Sequence, residues 1–282
     1  MRRFTMVDVF ADRPFAGNPL AVVLDGEGLS TEQMLQVTRW LNLSETVFLL
    51  PVTVEAADYR VRIFTPAGEL PFAGHPTLGS CHSWLRAGGE PKDTGEIVQE
   101  CGAGLVRIRR DKTGLAFAAP PLLRSGPVAE TLLDELAEVL GIGRDDIVDG
   151  QWVDNGPGWL ALLLEDAETV LALNPDFGAH RGRAGRELGL VGPYPPGSPF
   201  AYELRALFGG EHGEMREDPV TGSLNASVAQ WMVASGRFQP PYVVSQGTRL
   251  GRRGRPRISA DVSGTIWVGG DTVSLVDGEI DV

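Results

Sequence analysis

The sequence predicts an α+β protein of two pseudo-symmetric domains, each a curved, mostly antiparallel sheet wrapped around one central buried helix. Three observations lead there. The 282 residues, 43% hydrophobic and 22% charged, amount to about two domains of ordinary size, each long enough to bury a core without metals or disulfides as staples. Short strand-like runs bounded by glycine-rich turns outnumber helical ones. Two helical segments, 77–85 and 224–233, carry no charged side chain, whereas a surface helix needs a polar face.

In chain order, residues 4–10 and 20–24 read as strands. Ser30 opens a helix as N-cap, and Gln33 three residues on completes a capping box. Residues 46–51 read as a strand. In 59–64, Tyr59, Val61 and Ile63 alternate with Arg60, Arg62 and Phe64, the period of a strand with two different faces. The turn Ala73-Gly74-His75 leads into the first uncharged helix, over 76–85. Residues 105–109 and 115–119 are strands. Between Glu130 and Leu140, leucines at 132, 133, 136 and 140 form a helical stripe that Gly141 stops. A strand over 159–165 follows, then a Pro/Gly-rich loop over 192–199 and a strand over 200–208. The turn Thr221-Gly222-Ser223 opens the second uncharged helix, over 224–234. Strands over 242–246, 265–268 and 272–276 close the chain. These lengths place one domain at 1–122, with 272–282 as a candidate to complete it, and the other at 123–271. The echo between Pro14-Phe15-Ala16-Gly17-Asn18-Pro19 and Pro71-Phe72-Ala73-Gly74-His75-Pro76 is too short for a solenoid repeat and marks two similar turns in one domain.

Composition excludes several function classes. With 25 Lys and Arg against 37 Asp and Glu, the net charge is −12, which disfavours nucleic acid and anionic membranes as partners. Arg249, Arg252, Arg253, Arg255 and Arg257 are a local exception, read as a solvated loop. Two cysteines, Cys81 and Cys101, are too few for a disulfide framework and suit a reducing cytoplasm. The first ten residues hold two arginines but no apolar stretch of signal-peptide length. No apolar run approaches the roughly 20 residues that span a bilayer.

Five segments carry a family resemblance: VDVFADRPFAGNPLAVV (7–23), NLSETVFLL (42–50), FTPAGELPFAGHPTLG (64–79), EDPVTGS (217–223) and SQGTRLGRRGRPRIS (245–259). In this order they resemble the PhzF-like family, which shares the diaminopimelate-epimerase fold. The resemblance implies two barrel-like domains, each around a central helix, with the active site in the cleft between them, and a homodimer. It implies an isomerase that moves a proton between carbons of a small amino acid without a cofactor. The catalytic positions fall on Glu45, His75 and Asp218, and the substrate-holding ones on Ser44, Gly74, Gly222 and Ser223.

The residues themselves are compatible with those roles and also with plainer ones. Glu45 lies beside Leu43 and Val47-Phe48-Leu49, where a dry setting would raise its pKa and suit it to general acid/base work. An exposed strand-end carboxylate fits the local sequence as well. His75 and Ser223 open the two uncharged helices, whose N-termini attract carboxylates. His75 is equally a capping or core histidine, or a proton relay. Asp218, extended before Pro219, is either a turn residue or an acceptor for a substrate amine or hydroxyl. A two-thiol epimerase needs a cysteine beside each helix turn, and Ala73 and Thr221 stand there instead. A non-catalytic binder of small molecules is the remaining alternative. His75, His82, His180 and His212 show no metal-ligand spacing, and no phosphate loop or dinucleotide fingerprint follows a strand. No metal or cofactor is expected, and the expected partner is a small acidic molecule.

Overall fold

In the computed structural model, which describes residues 1–175, 187–209 and 215–282, the strands in chain order are β1 (Arg2–Val9), β2 (Asn18–Val23), β3 (Glu45–Leu50), β4 (Tyr59–Phe64), β5 (Glu69–Leu70), β6 (Glu96–Cys101), β7 (Gly104–Asp111), β8 (Gly114–Ala118), β9 (Arg124–Pro127), β10 (Ile147–Asp154), β11 (Leu160–Leu164), β12 (Leu188–Pro193), β13 (Tyr202–Gly209), β14 (Met215–Asp218), β15 (Tyr242–Val243), β16 (Ser245–Gln246), β17 (Arg257–Ala260), β18 (Ile266–Gly270) and β19 (Thr272–Ile280). The helices are α1 (Thr31–Leu41), α2 (Gly74–Arg86), α3 (Glu130–Leu140), α4 (Ala167–Ala172) and α5 (Gly222–Ala234). His180 and His212 lie outside the described residues. The chain divides into two units, Met1–Ala118 with Trp267–Val282, and Ala119–Ile266.

The first unit runs β18-β8-β7-β6-β4-β3-β2-β1-β19, with β5 on β4. Helix α2 packs on β1, β2, β3, β4, β8 and β19, so the sheet wraps it, although the pairing among the described residues stays open rather than closing into a barrel. The wrap is tight. A Cβ on Gly79 of α2 would lie 2.5 Å from Leu20 and 2.9 Å from Val9, closer than packed atoms tolerate. Helix α1 has the expected capping box: Gln33 N–H donates to Ser30 Oγ and Ser30 N–H to Gln33 Oε1. It ends at Asn42, in the left-handed region at φ 53°. On the sheet, Met34 and Val37 of α1 join Val23, Phe48 and Phe64 in a buried cluster. Because α1 carries the chain back to the edge where β2 began, β2 and β3 pair in parallel, Leu20 beside Glu45. Asn18 and Glu45 therefore start neighbouring strands at the same edge.

The second unit runs β14-β13-β12-β11-β10-β9, with β16 on β13, and β15 pairs with β17. Its core joins Leu133, Leu136 and Leu140 of α3 to Leu160, Leu162, Leu164, Leu188, Leu190 and Leu207 of the strands. Helix α5 is buried from Gly222 to Ala229 and again at Trp231 and Met232. A Cβ on Gly189 would sit 2.9 Å from Leu224, so this sheet face lies against the first turn of α5. No helix among the described residues is long and apolar enough to cross a membrane.

Two expectations shift. Gly192 and Pro193, read as loop, finish β12. Arg255 is partly packed rather than solvated: its Nη1 donates to Ser245 Oγ at 3.1 Å, and its guanidinium stacks 4.2 Å from the Phe200 ring.

Candidate active site

In the first unit the chemistry gathers where β2, β3 and α2 begin. Asp8 on β1, 1% exposed, accepts through Oδ2 from the N–H groups of Ala16 (2.7 Å) and Gly17 (3.0 Å). That anchor bends the turn back against β1, where a Cβ on Gly17 would fall 2.1 Å from the Val9 carbonyl oxygen. The turn delivers Asn18, fully buried, with its amide nitrogen 3.4 Å from His75 Nδ1. On the far side of the ring, His75 Nε2 lies 3.5 Å from Glu45 Oε2. The Glu45 side chain is 15% exposed. Burial alone pulls the His75 pKa down to about 3, so the ring is neutral at neutral pH.

Ser44 precedes Glu45 and is half-buried. Gly74 is the first residue of α2 and is buried. The N-cap of this helix, Ala73, makes no side-chain cap hydrogen bond. The first-turn N–H groups of α2 therefore lack the cap that α1 receives from Ser30. Ser44, Glu45, Gly74 and His75, singled out from sequence, are thus neighbours in one unit.

In the second unit, Asp218 ends β14 and Thr221 is the N-cap of α5, also without a side-chain cap bond. Thr221 Oγ1 donates to Asp218 Oδ2 at 2.6 Å. Gln246, fully buried, ties the loop together. Its Oε1 accepts from Thr221 N–H (3.0 Å) and Asn225 Nδ2 (2.7 Å), while its Nε2 donates to Thr221 Oγ1 (3.0 Å) and the Asp218 carbonyl (3.3 Å). Ser223, 8% exposed, accepts at Oγ from Trp159 Nε1 (3.0 Å), and its carbonyl accepts from Asn155 Nδ2 (2.9 Å). With the indole as donor, the Ser223 hydroxyl keeps its own hydrogen for another acceptor. Asp218, Gly222 and Ser223 thus share one helix start.

Sequence reasoning missed Glu187. Its carbonyl accepts from Leu160 N–H at 3.0 Å, in the ladder that pairs Leu160 with Leu188. Being two residues before Gly189, it shares the sheet face that meets α5. Burial, followed by the charge of Asp218, pushes its pKa up to about 7. The signal was present: like Glu45 before Thr-Val-Phe-Leu-Leu, Glu187 is a lone acid at the mouth of an apolar strand, Leu-Gly-Leu-Val. Asn18 in the first unit, and Gln246 and Trp159 in the second, were also missed as individual partners.

Neither cysteine is placed for thiolate chemistry. Cys81 is fully buried inside α2, and burial pushes its thiol up to about 12. Cys101 is raised as well, chiefly by burial. His82, on the same helix, has Nε2 2.9 Å from Ser274 Oγ. No group of three or more His, Cys, Asp or Glu among the described residues is placed to hold a metal ion.

Comparison with known proteins adds a family. The model of phenazine biosynthesis-like proteins matches residues 7–278. Antisense-enhancing sequence 1 of Schizosaccharomyces pombe is 34% identical, covering 98% of this chain and 97% of the relative. The trans-2,3-dihydro-3-hydroxyanthranilate isomerase of Pseudomonas aeruginosa is 31% identical, covering 99% of each. The crystal structure of a PhzF-family protein from Bacillus anthracis superposes with a TM-score of 0.83 at 21% identity, covering 100% of this chain and 99% of the other. At that identity the superposition speaks for the fold.

Proposed function

The chain belongs to the phenazine biosynthesis-like (PhzC-PhzF) family, and from that premise we propose that it is an isomerase moving a proton between two carbons of a small amino acid. One observation carries the reading: Glu45, largely withdrawn from water, faces a buried neutral imidazole 3.5 Å away at the uncapped start of α2. A carboxylate so held is equipped to take a proton from carbon. As the C–H bond breaks, its electron pair moves through an adjacent double bond, and the carbon at the far end takes the proton back from Glu45. Atoms and electrons balance with no oxidant or cofactor. A single base returns the proton to the face it came from, which makes the outcome a double-bond migration rather than a stereochemical inversion.

The start of α5, in the second unit, has the character of a binding site. Its first-turn N–H groups and the Ser223 hydroxyl suit a substrate carboxylate, and Asp218, oriented by Thr221, suits an amine or hydroxyl. The two-thiol alternative lacks support, because Ala73 and Thr221 stand at the helix turns and Cys81, deep inside α2, is sealed in the core with its proton held tightly. The first substrate to try is the dihydro-hydroxyanthranilate named for the Pseudomonas aeruginosa relative.

Glu45→Gln keeps the shape and removes the proton carrier. Turnover, and deuterium uptake from D2O into the substrate, should fall by about 10²- to 10⁴-fold, while the ligand still raises the melting temperature by mass action. Unchanged deuterium uptake in this variant would rule Glu45 out as the base. Binding without exchange in the wild-type protein would favour a non-catalytic binder instead.

A further inference from the structure

We propose that Asn18 is a positioning residue that holds His75 as the Nε2–H tautomer, so that the ring turns an N–H rather than a lone pair towards Glu45. The amide nitrogen of Asn18, 3.4 Å from His75 Nδ1, has hydrogens to give and no lone pair to offer. Nδ1 must therefore be the bare, accepting nitrogen. A neutral imidazole has only one N–H, and His75 is 3% exposed in a setting where burial keeps it neutral. Its proton is therefore on Nε2, the nitrogen that faces Glu45 Oε2 at 3.5 Å. This holds whichever protonation state Glu45 adopts, because Nδ1 is already committed.

The two neighbours of the ring agree independently, a donor opposite Nδ1 and a carboxylate oxygen opposite Nε2. The opposite tautomer would set N–H against N–H on one side and lone pair against lone pair on the other. Asn18 is able to enforce the choice because its own position is enforced, by the turn that Asp8 anchors through Ala16 and Gly17. One consequence rests on the reading of Glu45 as acid/base. A neutral ring protonated at Nε2 offers no lone pair on that side, so the proton in transit stays with Glu45.

Nitrogen-15 NMR of the full-length protein labelled at histidine tests the assignment without any turnover. The His75 resonances, identified by their loss in His75→Gln, should show a protonated Nε2 and a bare Nδ1 at neutral pH. A protonated Nδ1 in the wild-type protein overturns the proposal. Asn18→Asp places an acceptor opposite Nδ1, so it should move the proton there and lower kcat by about 10²- to 10⁴-fold. A tautomer unmoved in Asn18→Asp also overturns the positioning role. If that variant does not fold, the wild-type spectrum alone decides. Glu45→Gln separates the two readings. The Nε2–H signature should persist in it, and retained turnover there would end the acid/base reading while leaving the tautomer assignment standing.

Discussion

Two titratable side chains drawn wholly or partly out of water, His75 and Glu187, link stability to pH with opposite signs. His75 binds its proton less tightly folded, at about 3, than at its ordinary 6.5. Between those values the unfolded chain holds more protons, so acidification through that window destabilises the fold. Glu187 is raised from 4.5 to about 7. Its neutral form is the favoured one in the fold, so its contribution is complete below about pH 4.5 and is lost as pH rises through 7. Glu187→Gln should therefore match the wild type in acid, gain on it as pH rises from about 4.5 to 7, and hold that lead above neutrality. Urea midpoints of both proteins across pH check this, and a constant difference between them would contradict the burial of Glu187. A third buried side chain matters through its partners. Gln246→Ala removes the acceptor shared by Thr221 N–H and Asn225. At about 1–3 kcal/mol for each buried group left unsatisfied, the variant should unfold at clearly lower urea and bind ligand more weakly.

At the scale of elements, the turn before β2 and the start of α2 set the Glu45 site in the first unit, and the start of α5 sets the polar cluster of the second. Gly17→Ala would drive a methyl into the Val9 carbonyl, 2.1 Å away. The expected cost is about 1–3 kcal/mol, together with a displaced Asn18. The loss should therefore appear in kcat as well as in the denaturation midpoint, and a stability loss with kcat intact would detach the turn from the chemistry. Elements with strong local signatures were legible in the sequence: the Ser30–Gln33 box, the leucine stripe of α3, and the uncharged α2 and α5. Glu45 and His75 were legible because short motifs surround them. What escaped did so for a physical reason. In β12, Gly189 and Gly192 leave room for Leu224 and for the Asp166 carbonyl, so a core strand acquires the composition of a loop. Gly150 interrupts β10 in the same way, to admit Leu133. Asn18, Trp159 and Glu187 escaped because their partners are distant in the chain, at His75, Ser223 and Asp218.

For the whole molecule, the first unit is discontinuous in sequence. Strand β19 pairs with β1 from Arg2↔Ile280 to Val9↔Thr272 and also touches α2. Removing residues 272–282 strips β1 of its outer partner and opens one side of the wrap around α2. Hydrogen exchange should then show β1, β2 and α2 losing protection, while β11, β12 and α5 keep theirs. Uniform loss in both units would show that the two fold as a single cooperative block.

The pairing of β1 with β19 also sets an order of events during synthesis. A ribosome emits β1 well before its outer sheet partner β19, with the second unit in between. The nascent first unit must wait with the outer edge of β1 unpaired until β19 emerges. Any factor that shields nascent chains would therefore find a long-lived target at β1, and stalling anywhere before residue 272 would leave the unit that carries Glu45 unfinished.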